Sequence, residues 1–162
     1  MSNRYVNLLV LHCSDTPNGS RKFSARDIDA WHAARGFRRK EEYIRNYNSH
    51  FPYAGYHEVI DCDGLITTLR GENEVGAHVQ DANEHSIGLC LMGTDSYTPA
   101  QWETLKSEVV SYQNRYGPAL RVIGHRELNH HKTCPGFDVQ LWLQQDMEPM
   151  PGHVLGVPSY GI

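Results

Sequence analysis

The chain has 162 residues and a formal net charge of −4, with 40% hydrophobic and 21% charged residues. This length fits one domain with a single core, and no segment approaches the roughly 20 consecutive apolar residues that a membrane span requires. The negative charge argues against a broad nucleic-acid surface, so we expect neither membrane insertion nor a nucleic-acid partner. The N-terminus lacks the features of a signal peptide, which predicts a cytoplasmic protein.

Apolar runs, capping residues and glycine-rich or proline-rich breaks divide the chain into alternating strands and helices. Apolar runs with β-branched residues predict buried strands, and Asp61-Cys62-Asp63-Gly64 predicts a hairpin turn. Ser24 and Thr98 each begin a capping box that predicts a helix start. In chain order, the expected elements are a strand over 6–11, a helix from 24 to 36, a partly ordered surface insert over 37–53, strands over 56–61, 65–69 and 86–92, a helix from 98 to 116, a strand over 120–123 and a helix over 138–145.

Strands that alternate with helices, together with one hairpin, predict a single α/β domain with a mixed central sheet flanked by helices. We expect this domain to comprise residues 1–146. Periodicity is lost after residue 146, where glycine and proline accumulate, and residues 147–162 are therefore expected to form a C-terminal tail.

Two histidines and a cysteine lie where an α/β protein commonly places a functional site. His12 ends the first predicted strand, His125 follows the last one, and Cys134 lies in a polar loop nearby in sequence. Two imidazoles and a thiolate suit Zn²⁺, and three protein ligands leave a fourth position for water. Such a position suits a hydrolase, because zinc lowers the pKa of bound water to roughly 7. His130 and His131 are rival ligands on composition alone.

Two other interpretations of these residues remain open. A cysteine hydrolase would use Cys13 or Cys134 with a histidine, although Cys13 and His12 are neighbours on a strand and point to opposite faces. A structural zinc site would normally have four protein ligands, the fourth supplied by His130 or His131. The four cysteines have no CxxC spacing, and without a secretory signal we expect no disulfides.

A series of short motifs follows one order along the chain. They are Leu9-Val10-Leu11-His12-Cys13-Ser14, Trp31-His32, Gly55-Tyr56-His57, Asp63-Gly64, Val75-Gly76-Ala77-His78, Asn83-Glu84-His85-Ser86-Ile87-Gly88, Thr98-Pro99-Ala100-Gln101, Gly124-His125-Arg126-Glu127 and Lys132-Thr133-Cys134-Pro135-Gly136-Phe137-Asp138. Together they resemble the type-2 N-acetylmuramoyl-L-alanine amidases, which include small phage endolysins and the peptidoglycan recognition proteins. Each motif alone is weak, but their joint presence over roughly residues 5–143 is specific.

The resemblance implies a fold and a set of site residues. The fold is a mixed sheet flanked by helices, with zinc in a surface groove that holds the glycan-peptide. Asp138 is a further candidate, as a partner of one ligand. By position, the resemblance implies His12, His125 and Cys134 as zinc ligands, Tyr56 and Lys132 as catalytic residues, and His78 and Asn83 as substrate-binding residues along the groove.

The implied function is zinc-dependent hydrolysis of the amide between N-acetylmuramic acid and L-alanine in bacterial peptidoglycan. The likeness is greatest to single-domain phage endolysins, which implies a monomer that accumulates in the host cytoplasm and reaches the wall at lysis. The alternatives are a cytoplasmic muropeptide-recycling amidase and a non-catalytic peptidoglycan-binding module. The stretch between Gly36 and Gly55 is longer than in the shortest phage enzymes, which suggests an extra lid or groove wall.

Overall fold

The computed structural model of the protein describes residues 4–156. Within this range, five strands form one mixed sheet in the order β3-β2-β4-β1-β5, which confirms the predicted α/β fold. The strands are β1 (Leu8–Cys13), β2 (Glu58–Ile60), β3 (Ile66–Thr68), β4 (Ser86–Leu91) and β5 (Arg121–Gly124). The helices are α1 (Ala25–Ala34), α2 (Glu41–Asn46), α3 (Pro99–Tyr116) and α4 (Val139–Gln144), with 3₁₀ turns at Asn83–His85 and His125–Glu127.

Strand β1 lies in the middle of the parallel part of the sheet. It pairs in parallel with β4 on one side and with β5 on the other, while β2 and β3 form the predicted antiparallel hairpin. Leu11 of β1 is opposite Gly124, the last residue of β5. The carboxyl ends of β1 and β5 therefore meet at one edge of the sheet.

The two faces of the sheet are buried under different elements, as expected for a strand whose side chains alternate between faces. Leu9 and Leu11 of β1 pack into the larger core cluster, which includes residues of α3 and α4 such as Trp102 and Trp142. Leu8 and Val10 point to the other face, where Ile28 of α1 packs against a second cluster. Alternate residues of a strand point to the same face. The side chain of His12 therefore points to the same face as those of Leu8 and Val10, which is the face covered by α1.

The capping boxes predicted from sequence form. The Ser24 side chain accepts a hydrogen bond from the Arg26 amide at 3.2 Å, and the Asp27 carboxylate accepts one from the Ser24 amide at 2.8 Å. Thr98 and Gln101 make the equivalent pair at the start of α3, with Pro99 in the first turn. Such caps stabilise a helix by about 0.5–2 kcal/mol.

The insert over 37–53 differs from the partly ordered surface segment expected from its polar composition. It contains α2, and it is folded around the guanidinium of Arg39, whose side chain is fully buried. Arg39 donates two hydrogen bonds to the Glu74 carboxylate, at 2.7 and 2.9 Å. It also donates to the carbonyls of Asn48 and Phe51 at 2.6 and 3.1 Å. One buried cation thus provides hydrogen-bond donors to backbone carbonyls of the insert, a segment that has little apolar surface to bury.

The segment after residue 146 also contacts the domain in its described part. The Tyr97 amide donates to the His153 carbonyl at 2.9 Å, and the Leu155 amide donates to the Tyr97 carbonyl at 2.8 Å. Met150 is buried in the larger core cluster. Residues 147–156 therefore pack against the domain despite their irregular sequence, because they supply backbone hydrogen bonds and apolar side chains, Met147 and Val154 among them. The rest of the expected tail, residues 157–162, lies outside the described residues, and the boundary at 146 stays a prediction.

Among the described residues, no helix combines the length and the apolar character that crossing a bilayer would need.

Candidate metal centre

The ends of two neighbouring parallel strands bring His12 and His125 together. His12 is the second-last residue of β1, and His125 follows β5 directly and begins a 3₁₀ turn. The two imidazole rings lie 4.5 Å apart between centroids. His12 is 1% exposed, whereas His125 is half-buried and faces the cleft.

The loop after β5 carries Cys134 back to the end of β1. The Arg126 amide donates to the Cys134 carbonyl at 2.9 Å, which closes the loop, and the Cys13 amide donates to Cys134 Sγ at 2.7 Å. One donor atom from each of His12, His125 and Cys134 lies within 4.8 Å of the other two.

This donor set fits zinc in chemistry and in spacing. Zinc accepts imidazole nitrogen and thiolate sulfur in a tetrahedral arrangement, in which two donor atoms are roughly 3.5 Å apart, so a small inward movement of the three side chains would suffice. Within residues 4–156, no other group of three or more histidine, cysteine or acidic side chains converges in this way. The side chains of His130 and His131 are exposed and lie outside this group.

The surroundings keep the two imidazoles neutral, which is the form that binds metal. Burial lowers the pKa of His12 well below its usual range, and the neighbouring His125 and His32 lower it further. Burial and the Lys132 cation lower the pKa of His125. The hydrogen bond with the Cys13 thiol, together with burial, raises the pKa of the Cys134 thiol. A metal that binds Cys134 must therefore displace a proton from sulfur.

His78 and Asn83 lie beside the three donors and also line the cleft. His12 Nε2 and His78 Nδ1 are 2.8 Å apart, and His78 Nε2 lies 3.1 Å from the Ser86 hydroxyl. Asn83 Oδ1 accepts hydrogen bonds from the backbone amides of residues 78 and 79 at 2.8 and 2.9 Å. A Cβ atom at Gly88 would lie 2.6 Å from the His78 ring, so a glycine there leaves room for this imidazole.

Tyr56 lies against the candidate metal ligands, next to a histidine that the sequence did not single out as a site residue. The Tyr56 ring is 5.0 Å from the His12 ring and 5.2 Å from the His32 ring. His32 Nδ1 accepts a hydrogen bond from the Gly55 amide at 2.7 Å, which fixes the backbone just before Tyr56. Burial, with help from Arg35 and Arg70, lowers the pKa of His32 to about 4, so it is a neutral acceptor at pH 7. The motif Trp31-His32 was the available signal.

The hydroxyl of Tyr56 stays protonated over the physiological range. Burial raises the pKa of Tyr56 well above its usual value, and the nearby thiols of Cys90, Cys134 and Cys13 raise it further. A phenol in this state donates a hydrogen bond rather than carrying negative charge. Tyr56 is therefore a neutral donor beside the candidate ligands.

The candidate ligands open into a cleft of about 670 Å³. Lys132 is exposed in the loop before Cys134 and reaches the cleft, as do Trp31 and Phe37. Phe37 is the one residue of the 37–53 insert among the described cleft-lining residues, so the insert contributes a small part of one wall and does not cover the groove. Asp138 caps α4 by accepting from the Leu141 amide at 3.0 Å, and no hydrogen bond joins it to a candidate ligand among the described residues.

Comparison with known proteins gives one consistent result. The family model described as N-acetylmuramoyl-L-alanine amidase matches residues 2–137. The endolysin of Escherichia phage T7 is 32% identical over 147 residues, with 85% of each chain covered, and that of Enterobacteria phage T3 is 31% identical over 151 residues with the same coverage. The solved structure of the N-acetylmuramoyl-L-alanine amidase LysC from Clostridium intestinale URNW covers 90% of this chain and 89% of its own, with a TM-score of 0.69 at 23% identity.

Proposed function

The chain belongs to the N-acetylmuramoyl-L-alanine amidase family, and we propose that it is a zinc-dependent enzyme that cleaves the amide between N-acetylmuramic acid and L-alanine. The family match confirms the resemblance found in the sequence motifs. The main support for zinc dependence is that one donor atom from each of His12, His125 and Cys134 converges at the cleft.

Three protein ligands would hold the ion and leave room for a further ligand from solvent or substrate. The chemistry that a bound zinc supplies is Lewis-acid polarisation of a carbonyl oxygen and activation of water. Because His12 Nε2 is engaged with His78, Nδ1 is the ring nitrogen of His12 that remains free for the ion. Metal-binding histidines commonly have their second ring nitrogen hydrogen-bonded in this way, which fixes the orientation of the ring.

Lys132 and Tyr56 would act on the charges and protons of the reaction. The exposed ammonium of Lys132 lies at the cleft, where it would stabilise the negative charge that develops on the amide oxygen. Tyr56 would orient the attacking water and donate toward the leaving amine, since its hydroxyl remains protonated at neutral pH. The neutral His32 would hold Tyr56 in place through the Gly55 backbone.

His78 and Asn83 would have different roles at the groove. Both ring nitrogens of His78 have protein partners, which supports a role in positioning His12. Asn83 uses its carbonyl oxygen to hold the backbone at 78 and 79. Its amide nitrogen remains available as a donor to the glycan-peptide.

We further propose a role as a phage endolysin that degrades the host wall at lysis. The similarity to the T7 and T3 endolysins supports this, because it covers 85% of both partners in each comparison. The same role implies a monomer that acts on polymeric wall rather than on soluble fragments.

The test is digestion of purified peptidoglycan sacculi by zinc-loaded protein, with detection of the new L-alanine amino terminus. Cys134→Ser should abolish the release of stem peptides. Cys62→Ser is the matched control, since Cys62 is a buried thiol that does not line the cleft, and it should retain activity. Zinc-loaded protein that leaves the amide intact, or full activity in Cys134→Ser, would contradict the proposal. A preference for soluble anhydro-muropeptides over sacculi would contradict the endolysin role alone.

A further inference from the structure

The candidate sulfur ligand has a second thiol beside it. Cys134 Sγ lies 2.7 Å from the Cys13 amide nitrogen and 3.8 Å from the Cys13 carbonyl oxygen, so it packs directly against Cys13. Cys134 comes from a loop 121 residues away in sequence. The contact is thus a product of the fold rather than of neighbouring positions.

Strand geometry places the metal site and the second thiol on different sides of Cys134. His12 and Cys13 alternate along β1, so His12 points toward the other candidate ligands while Cys13 packs against the core cluster under α3. Cys134 lies over the end of β1 and contacts both. Its sulfur can serve either as a thiolate ligand of zinc or as one half of a disulfide, and each bond excludes the other because a disulfide sulfur has no charge to offer a metal.

We propose that Cys13 and Cys134 form an oxidisable thiol pair, and that their disulfide withdraws the sulfur ligand from the metal centre. The loss of metal binding rests on the proposed function, whereas formation of the disulfide does not. Both cysteines line the cleft, where a small oxidant reaches them. Cys62 and Cys90 are 6% and 0% exposed and do not line this cleft.

A peroxide is the oxidant class that completes the chemistry. One thiolate attacks a peroxide oxygen, the O–O bond breaks, and a sulfenic acid and water form after proton transfer. The second thiolate then attacks the sulfenic sulfur, the S–S bond forms, and hydroxide leaves and takes up a proton as water. The two thiols are oxidised by two electrons in total, and hydrogen peroxide is reduced to two molecules of water. A thiol reductant reverses the bond by thiol–disulfide exchange.

Tryptic mapping can identify the bond because each cysteine falls in a different tryptic peptide. The peptides span residues 5–21, 46–70, 71–106 and 133–162, which contain Cys13, Cys62, Cys90 and Cys134 respectively. Metal-free protein would be treated with hydrogen peroxide, blocked with an alkylating agent and digested without reduction. We expect one cross-linked species that joins 5–21 to 133–162 and disappears after reduction. Bound zinc should suppress it, because the metal holds the Cys134 sulfur.

Cys13→Ser separates the thiol pair from the metal site, since Cys13 is not among the candidate ligands. After mild oxidation, metal-free wild-type protein should take up little zinc until it is reduced, while Cys13→Ser should still bind one zinc per chain. Absence of the 5–21 to 133–162 cross-link would overturn the proposal, as would equal loss of zinc uptake in the wild type and Cys13→Ser. A reduced wild-type protein that binds no zinc would instead refute the proposed function, and the cross-link would still decide the thiol pair.

Discussion

Replacement of Arg39 by methionine should destabilise the protein strongly although Arg39 does not line the candidate cleft. The change removes two hydrogen bonds to Glu74, whose side chain is 3% exposed, and three to carbonyls of the insert. The remaining cation near Glu74 is Arg70, at 3.8 Å from the carboxylate. Loss of one partner of a buried ion pair costs about 3–5 kcal/mol, which is a large share of the roughly 5–15 kcal/mol that stabilises a typical domain.

Urea denaturation would measure this cost as a shift of the unfolding midpoint at constant m-value. Arg38→Met is the matched control, because the neighbouring Arg38 pairs with Glu41 at the surface, where both side chains are at least half exposed, and such pairs contribute about 0–1 kcal/mol. In Arg39→Met together with Glu74→Gln, the Glu74 carboxylate no longer stays buried without its Arg39 partner, so the double variant should be destabilised by less than the sum of the single effects.

Hydrogen exchange would show which part of the structure Arg39→Met destabilises. The amides of α2 should exchange faster than those of β1, because Arg39 holds the insert while β1 is held by the sheet. If Arg39→Met lowers the free energy of unfolding by less than about 1 kcal/mol, as Arg38→Met is expected to do, the argument that burial makes the Arg39–Glu74 pair costly to break is refuted. Additive effects of the Arg39 and Glu74 variants would refute the proposed coupling.

Three further variants test other parts of the structure. Tyr97→Phe removes a buried donor to the Pro135 carbonyl at 2.6 Å, which should cost about 1–3 kcal/mol in thermal unfolding and weaken zinc retention by the adjacent loop; unchanged zinc affinity would contradict the second effect. Burial, with a hydrogen bond that the protonated Glu58 carboxyl donates to Glu108, raises the pKa of Glu58 to about 9. The stability contributed by protonated Glu58 is therefore present at low pH and is lost as pH rises toward 9. Glu58→Gln should therefore raise the melting temperature more at pH 8 than at pH 5, and an equal gain at both would contradict this sign. Lys132→Met should lower kcat about 100-fold or more with zinc still bound, and an unchanged kcat would exclude the oxyanion role.

The fold, and the convergence of the two candidate histidine ligands, could be predicted because they depend on local patterns. The capping box at Ser24 and the hairpin turn ending at Gly64 each depend on a few consecutive residues, and both form. His12 and His125 each end a predicted strand, and parallel strands bring such ends to the same edge. Their proximity also requires β1 and β5 to be neighbours in the sheet, which the structure shows.

Other contacts could not be predicted because they join distant parts of the chain. The Arg39–Glu74 pair spans 35 positions, and nothing local distinguishes Arg39 from the neighbouring arginine that stays at the surface. The contact of His78 with His12 depends on the space above Gly88. Polar composition predicts exposure, whereas burial of a charge depends on a partner that only the folded chain supplies.

Metal binding by the purified protein tests the central claim most directly. The protein should bind one Zn²⁺ or one Co²⁺ per chain, and the cobalt form should show a thiolate-to-cobalt charge-transfer band because Cys134 supplies a sulfur ligand. The band should disappear in Cys134→Ser and persist in Cys62→Ser, and His12→Ala should bind metal far more weakly. A wild-type protein that binds no metal, or a Cys134→Ser variant that keeps both the band and the affinity, would contradict the account.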